Sequence, residues 1–189
     1  MRVLTVNTGS SSIKLAVYDD ERKLAAADRA GLATTADFTA ALPPLLQRLA
    51  SAPPAAIGHR IVAPGLDWED AHRLDAAALD ELHALVPQAP DHLPQALAAI
   101  AATQKLFPDL PQIACSDSAF HRTLPEVARR FALPRALYDQ GLRRYGYHGL
   151  SCASVLDALA RESAPLPSRV IIAHLGNGCS LTAVLEGRS

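Results

Sequence analysis

A short polar turn lies between two apolar segments near the start of the chain. Val3–Val6 and Ile13–Tyr18 are apolar or alternate apolar and polar residues, and Asn7-Thr8-Gly9-Ser10-Ser11-Ser12 separates them. A period of two is typical of half-buried strands, so we predict a strand–turn–strand hairpin. The turn is not a Walker A loop, which would need Gly-x-x-x-x-Gly-Lys-Ser/Thr followed by a helix.

The same turn carries groups that bind phosphate. Gly9 lets the backbone approach a ligand closely, and Lys14 adds a cation. The other candidate donors are neutral: Asn7, Ser10 and Ser12. A solvated hairpin tip would have the same composition, so these residues alone leave a phosphate cradle and a polar turn as equal alternatives.

Length and composition exclude several classes of protein. The 189 residues fit one domain, or one domain plus part of another. A net charge of −1 gives no broad electrostatic case for binding nucleic acid or an anionic membrane. Cys115, Cys152 and Cys179 are widely spaced, which favours reduced thiols over a disulfide framework or a zinc site. The chain shows no apolar signal segment and no membrane-spanning run, so we expect a cytoplasmic protein.

Three strand candidates open the chain, and helices then alternate with strands. The predicted strands are Arg2–Val6, Ser12–Tyr18, Lys23–Arg29, Ile57–Val62, Ile113–Ser116, Val170–Leu175 and Ser180–Leu185. The predicted helices are Ala36–Leu49 with an interruption near Pro43-Pro44, Asp75–Leu85, Gln95–Phe107 and Ser151–Glu162. Val86–Pro94 holds three prolines and is predicted to be a loop. This order favours an α/β fold with a mixed sheet, and the strand–turn–strand pattern recurs near the end.

Polar residues stand at the predicted strand ends, where sites of α/β proteins assemble. Arg60 lies in an apolar strand, where a buried cation needs an anion, so anion binding is favoured over a structural salt bridge. Asp117 is suited either to hold Mg²⁺ or to cap the following turn. His148 beside Gly149 is a site candidate, and a core histidine is the alternative.

The remaining polar candidates have simpler explanations. His92 precedes a predicted helix, and its position alone favours an N-cap-like residue. Structural hydrogen bonds are expected for His59, His121 and His174, and solvated positions for His72 and His83. Gly176-Asn177-Gly178 is typical of a tight hairpin turn, so a phosphate contact there is an additional hypothesis.

Five segments in order along the chain resemble the acetate kinase family. They are Val6–Lys14, Gly58–Val62, Asp117–Pro125, Arg143–Gly149 and His174–Gly178. The resemblance implies a fold of the actin/hexokinase/Hsp70 type, with two ribonuclease-H-like lobes and the active site in the cleft between them. Residues 1–147 would form the first lobe, with a mixed sheet, and residues 148–189 the first elements of the second.

The resemblance also implies an activity and its residues. A phosphoryl group would pass in line between ATP and a short-chain carboxylate, giving an acyl phosphate and ADP, with Mg²⁺ or Mn²⁺ as the metal. A carboxylate is already ionised at neutral pH, so this chemistry needs donors and cations and no strong base. The implied catalytic residues are Arg60, His92, Asp117 and His148, and the implied substrate-binding residues are Arg60, Val62 and Tyr147. The implied phosphate and nucleotide contacts are Asn7, Ser10, Ser12, Lys14, Gly176, Asn177 and Gly178, and the implied metal ligands are Asn7 and Asp117.

The chain departs from the family's pattern around the implied acyl pocket. Ala63-Pro64-Gly65 stands where the family has His-Gly-Gly, and Asp91 stands where an apolar residue precedes the histidine. Tyr147 replaces a phenylalanine, and Cys152 replaces a second histidine. An acid and a phenol would reshape a pocket built around a methyl group, so a kinase of the propionate or butyrate type is an alternative.

Members of this family are much longer than this chain. A second alternative is therefore a catalytically incomplete half-site protein, which binds phosphate or carboxylate and needs a complementing second-lobe chain. We predict that the 189-residue chain alone has little or no kinase activity. The expected partners are ATP, a small carboxylate and a second chain, as a homodimer or a complementing lobe; nucleic acid and membranes are not expected.

Overall fold

A computed structural model describes residues 1–49, 53–63, 68, 71–162, 165–176 and 178–189. Its strands are β1 Arg2–Thr8, β2 Ser12–Asp19, β3 Arg22–Ala30, β4 Ala56–Ile61, β5 His72–Arg73, β6 Gln112–Ser116, β7 Arg169–His174 and β8 Ser180–Leu185. Its α-helices are α1 Thr35–Gln47, α2 Ala76–Ala84, α3 Leu93–Leu106, α4 Glu126–Arg129, α5 Arg135–Asp139 and α6 Gly149–Glu162. Single 3₁₀ turns lie at Val86–Gln88 and Ala119–Thr123.

The described residues form two compact units. Unit 1 comprises the described residues of 1–63 and 70–116, and unit 2 comprises Trp68 with the described residues of 117–189. The predicted assignment of residues 1–147 to one lobe and 148–189 to the next stays a prediction.

Unit 1 is built on a mixed sheet, as the sequence predicts. Its six strands lie in the order β3-β2-β1-β4-β6-β5. β1 and β2 pair antiparallel with Thr8 opposite Ile13, and β1 and β4 pair parallel with Val6 opposite His59. β4 and β6 are also parallel. The carboxyl ends of β1, β4 and β6 therefore share one edge of the sheet.

The alternation of side chains along the strands creates the core of unit 1. Leu4 and Val6 of β1 are buried, and so are Ile13 and Leu15 of β2. Helices α1 and α3 pack on these strands, and Phe38 of α1 is completely buried in the same cluster. Full burial of each such side chain contributes roughly 1.5–3 kcal/mol, which holds the register of the strands.

The opening hairpin is confirmed. The backbone N–H of Gly9 donates to the carbonyl of Ser12 at 2.8 Å, which leaves Ser10 and Ser11 at the tip. A Cβ atom on residue 9 would lie 3.2 Å from Ser12 Oγ, so glycine fits this turn with the least crowding. The serines of the tip are thereby exposed at the end of a rigid pair of strands.

The predicted interruption of the first helix is wrong. α1 runs continuously through Pro43 and Pro44, both of which are exposed. Water can therefore bond the carbonyls that lose their helical donors at these positions. A capping box starts the helix: Thr34 N–H donates to Asp37 Oδ2 at 2.8 Å, and Asp37 N–H donates to Thr34 Oγ1 at 3.2 Å. The hydrogen bond from the Thr34 N–H lowers the pKa of the Asp37 carboxyl.

Other element boundaries also differ from the prediction. The predicted loop Val86–Pro94 contains a 3₁₀ turn and the start of α3, because a proline fits the first turn of a helix, where its missing N–H costs nothing. α6 begins at Gly149, two residues before the predicted start. The short elements β5, α4 and α5 were not predicted, since each spans too few residues to show a period. No described helix is long and apolar enough to cross a membrane.

Unit 2 contains the second predicted hairpin. β7 and β8 pair antiparallel, and His174 lies opposite Ser180 at the loop end. One face of the hairpin packs on α6 through Ile172 and Val184, which are buried with Cys152. The connecting loop spans residues 175–179, of which Asn177 lies outside the described residues.

A buried histidine of β4 is hydrogen-bonded within the core of unit 1. His59 is 2% exposed, and its Nε2 lies 2.8 Å from Gln112 Oε1. Thr103 Oγ1 donates to the same oxygen at 2.9 Å. Burial lowers the pKa of His59 to about 4, so the ring is neutral and its Nε2–H donates to the amide oxygen. The expected structural hydrogen bond of His59 is confirmed.

This histidine predicts a loss of stability in mild acid. In the unfolded chain its pKa returns to 6.5, so between pH 6.5 and about 4 the unfolded state binds one more proton and falling pH favours unfolding. We expect the free energy of unfolding to fall by about 2 kcal/mol from His59 alone between about pH 7.5 and about pH 5. Urea denaturation at both pH values measures it.

The quantity to compare between variants is the change in the free energy of unfolding between the two pH values. The values at a single pH are not compared, because substitution of a buried residue alters stability at every pH. His59→Gln should remove about 2 kcal/mol of the pH-dependent loss. His83→Gln, at an exposed histidine of α2, is the matched control. Equal pH-dependent losses in wild type and His59→Gln would contradict the assignment.

Candidate active site

In unit 1 the structure brings Asn7 and Arg60 together. Because Val6 pairs with His59 in parallel register, the next residues of the two strands are neighbours on the opposite face. Arg60 Nη1 donates to Asn7 Oδ1 at 3.2 Å, and both side chains are half-buried. The Asn7 amide oxygen is a neutral acceptor for one of the five N–H donors of the guanidinium.

Lys14 extends this pair into a row across three strands. It lies directly opposite Asn7 in the β1–β2 register, and it is exposed. Paired residues of neighbouring strands share a face, so Lys14, Asn7 and Arg60 form one row, which we call the cationic row. Ser10 and Ser12 lie in the turn at the end of this hairpin, exposed and half-buried respectively. Two cations on either side of an amide donor suit a phosphate or a carboxylate.

Val62 and His92, two other predicted site residues of unit 1, lie outside the cationic row. Val62 directly follows β4 and is half-buried. His92 is the N-cap residue of α3, and its Nδ1 atom is buried with no hydrogen-bond partner among the described residues. α3 covers the His59 face of the sheet, through Thr103, whereas Arg60 projects from the other face. The expected position before a helix is confirmed for His92.

In unit 2 the structure brings Asp117 and His148 together. Asp117 follows β6 and is 1% exposed. Its Oδ2 accepts the His148 N–H at 3.0 Å, and its carbonyl accepts the Gly149 N–H at 2.8 Å. The Leu150 N–H points to Oδ1 at 3.4 Å. The carboxylate therefore caps the N-terminus of α6, where the helix dipole favours negative charge.

His148 is held through both its backbone and its ring. Its φ angle of 60° lies in the left-handed region, which costs a residue other than glycine about 1–3 kcal/mol. The bond to Asp117 and a 3.0 Å bond from the Cys152 N–H to the His148 carbonyl fix this backbone. The ring stacks on His174 with centroids 4.1 Å apart, and Nδ1 lies 3.0 Å from Ser180 Oγ.

The other two histidines of unit 2 make the structural hydrogen bonds that the sequence predicts. His174 Nδ1 lies 2.9 Å from Ser151 Oγ. His121 Nε2 lies 2.9 Å from the Tyr147 carbonyl, to which it donates, and burial lowers the pKa of His121. Tyr147 itself is 37% exposed. His121 thus fixes the segment that leads into His148.

Sequence reasoning did not single out Ser151 and Ser180, although each contacts a histidine of the site. A signal for Ser180 was available, because it faces His174 across the hairpin. Of the predicted glycine loop, Gly176 is exposed, and a Cβ atom on residue 178 would lie 3.6 Å from His148 Nε2. The loop and the histidine are therefore adjacent at Gly178.

Asp117 fits a metal ion that phosphate oxygens and water also bind. Among the described residues no cluster of three His, Cys, Asp or Glu side chains is placed to hold a metal. Each oxygen of the Asp117 carboxylate faces one backbone N–H. Mg²⁺ commonly binds one or two carboxylates together with phosphate oxygens and water. Asp117 therefore suits a magnesium–phosphate complex and not a site made of protein ligands alone.

Comparison with known proteins identifies a family for this chain. The sequence profile of the acetokinase family matches residues 23–189. Acetate kinases from Ectopseudomonas mendocina and Methylocella silvestris are 40% and 38% identical to the chain, in alignments that cover 99% of it. These alignments cover 54% and 56% of the two relatives. The chain thus spans about half the length of the curated relatives it matches.

Solved structures give the same result. A propionate kinase from Francisella tularensis has a TM-score of 0.82 and 30% identity, over 99% of this chain and 55% of that one. An acetate kinase from Entamoeba histolytica has a TM-score of 0.82 and 25% identity, over 100% of this chain and 53% of that one. These likenesses confirm the expected fold class, a ribonuclease-H-like lobe of the actin/hexokinase/Hsp70 type with the first elements of a second lobe.

The cap of α6 predicts a sharp difference between two glycines. A Cβ atom on residue 149 would lie 2.4 Å from the Asp117 carbonyl oxygen and 2.9 Å from Phe120 Cβ. We expect Gly149→Ala to lower the free energy of unfolding by about 1–3 kcal/mol, because the start of α6 must move away from Asp117.

Gly58→Ala is the matched control, because a Cβ atom there meets no described heavy atom within 4 Å. Its effect should stay within about 0.5 kcal/mol. Urea denaturation of both variants measures the difference. If Gly149→Ala is no more destabilising than Gly58→Ala, that result contradicts the close packing of Asp117 against the start of α6.

Proposed function

The chain belongs to the acetokinase family, and on that premise we propose that its protein transfers a phosphoryl group between ATP and a short-chain carboxylate. The products are an acyl phosphate and ADP. The observation that carries this proposal is the pairing of Arg60 with Asn7 beside Lys14 in unit 1. The same proposal places the protein in the cytoplasm, in keeping with three cysteines that form no disulfide.

In this proposal unit 1 binds the carboxylate and part of the phosphate. The Arg60 guanidinium forms paired hydrogen bonds to the carboxylate, whose geometry matches the fork of N–H donors. Its bond to Asn7 Oδ1 limits the rotation of the guanidinium, which lowers the entropy lost on binding. Val62 lines the acyl group. Asn7, Ser10, Ser12 and Lys14 donate to phosphate oxygens, and His92 adds a donor from the N-terminus of α3.

Unit 2 supplies the donor for the transition state. The oxygens of the transferring group carry spread negative charge, which fixed hydrogen-bond donors stabilise without reorganisation. His148 is such a donor, because its backbone and its ring are both held. Gly178 lies beside its Nε2 atom, and we assign Gly176, Asn177 and Gly178 to the nucleotide phosphates.

Asp117 and Asn7 are the proposed ligands of Mg²⁺ or Mn²⁺. When bound, the ion neutralises charge on the phosphate oxygens. Asp117 is suited to this because its carboxylate is buried and oriented by two backbone N–H groups. Asn7 offers its amide oxygen, which has a second lone pair beyond the one that Arg60 uses.

The choice of carboxylate is the finer part of the proposal. A propionate kinase is among the solved structures that superpose at a TM-score of 0.82, which favours testing acids longer than acetate. Asp91 is exposed next to His92, and Tyr147 is partly exposed next to His148. We include propionate and butyrate with acetate as candidate substrates.

Arg60 gives the first test. The purified protein is incubated with ATP, Mg²⁺ and each acid, and hydroxylamine traps the acyl phosphate. Removal of one partner from a hydrogen-bonded charge pair costs about 2–5 kcal/mol, so we expect Arg60→Ala to lower kcat/KM by roughly 10²–10³-fold.

Arg60→Lys should recover only part of the activity, because an ammonium cannot form the paired hydrogen bonds. Arg73→Ala, at an exposed arginine of β5, is the control. If the complete protein, supplied with any complementing second-lobe chain, forms no hydroxamate with any acid, the activity is not the one proposed. If Arg60→Ala is as active as wild type, its assigned role is wrong.

Asp117 gives the second test. We expect Asp117→Asn to weaken the binding of Mn²⁺ in the presence of ADP by about tenfold or more, since a neutral amide replaces the carboxylate ligand. Electron paramagnetic resonance counts the free Mn²⁺, and circular dichroism checks that α6 is retained. Equal Mn²⁺ affinities in a folded variant would contradict the metal role of Asp117.

A further inference from the structure

We infer that Ser180 and His174 are positioning residues for His148, and that Ser180 keeps the His148 proton on Nε2, beside Gly178. The inference rests on the proposed function, since it concerns how His148 becomes a donor to a phosphoryl oxygen. Neither residue needs to touch a substrate for this role. Both act through the His148 ring.

The two residues form one pair in the hairpin. His174 and Ser180 lie opposite each other at the loop end of β7 and β8, so their side chains share a face. The His174 ring lies against the face of the His148 ring, 4.1 Å away and inclined by 13°. Ser180 Oγ lies 3.0 Å from Nδ1 at the edge of that ring. A single pair of facing residues therefore contacts the imidazole on a face and on an edge.

His174 is itself anchored to the helix that follows His148. Its Nδ1 lies 2.9 Å from Ser151 Oγ, in the first turn of α6. The hairpin also packs on α6 through Ile172 and Val184. Asp117 fixes the backbone of His148 at the start of this helix. The ring is therefore clamped between the helix and the hairpin, and it cannot turn without breaking the stack or a hydrogen bond.

The hydroxyl of Ser180 decides which nitrogen can donate. A neutral imidazole has one N–H and one acceptor nitrogen, and a hydroxyl can pair with either form. When Ser180 donates its O–H to Nδ1, the proton of the ring stays on Nε2. A Cβ atom on residue 178 would lie 3.6 Å from Nε2, in ordinary van der Waals contact, so this edge of the ring faces the glycine loop. An Nε2–H can donate to a phosphoryl oxygen, whereas a bare nitrogen would repel it.

The tautomer can be observed without turnover. ¹⁵N NMR of histidine-labelled protein, under mildly alkaline conditions that leave the ring neutral, distinguishes Nδ1–H from Nε2–H. We expect Nε2–H in wild type and in Ser180→Thr, which keeps the hydroxyl. In Ser180→Ala the ratio of Nε2–H to Nδ1–H should fall about fivefold, the change that loss of one hydrogen bond produces. Ser168→Ala, at an exposed serine, should leave the ratio unchanged.

Two results would overturn the inference. One is Nδ1–H as the main tautomer of His148 in wild type. The other is a ratio in Ser180→Ala that equals the wild-type ratio. The stack of the two rings has its own test, which is the ring-current shift of the His148 ring protons. His174→Phe should keep this shift and His174→Ala should lose it. Equal shifts in both variants would count against positioning by His174.

Turnover on the same variants separates this inference from the proposed function. We expect Ser180→Ala to lower kcat by up to about threefold, as the fraction of Nε2–H falls, with an unchanged KM for the carboxylate, and Ser180→Thr to restore kcat. An altered tautomer ratio with an unchanged kcat would overturn the link to catalysis. The expected tautomers in a protein without any turnover would overturn the proposed function and leave the positioning of the ring supported.

Discussion

The parallel register of β1 on β4 is the constraint on which unit 1 depends. It sets Val6 beside His59 on the core face and Asn7 beside Arg60 on the other face. A shift by one residue would move Arg60 into the apolar core and His59 out of its bonds to Gln112. Burial of the core face therefore fixes the position of the cationic row, so stability and site geometry have the same cause.

In unit 2 a buried carboxylate has the comparable role. Asp117 holds the start of α6 by hydrogen bonds to its carboxylate and its carbonyl. The energy of this cap offsets the left-handed backbone of His148, which a helix start alone would not stabilise. The hairpin then adds a stacked ring and a hydroxyl. A single histidine thus receives its geometry from three separate segments.

Local patterns predicted most of the regular structure. Short apolar runs and period-two alternation together located the seven longer strands within about two residues. Proline was a poor guide at Pro43 and Pro44, since an exposed helix face tolerates lost donors that a buried one would not. The two-residue strand β5 had no pattern to detect, because its partner β6 alone defines it.

The sequence by itself determined the strand faces, the polar turn at Gly9, and the identity of Asn7, Arg60, Asp117 and His148 as candidates. These follow from local chemistry and spacing, which need no knowledge of distant contacts. Tertiary structure alone decided that Asp117 caps α6 and that Ser180 and His174 hold the His148 ring. Such contacts join residues more than twenty positions apart, and only the pairing of strands and the packing of α6 bring them within hydrogen-bonding distance.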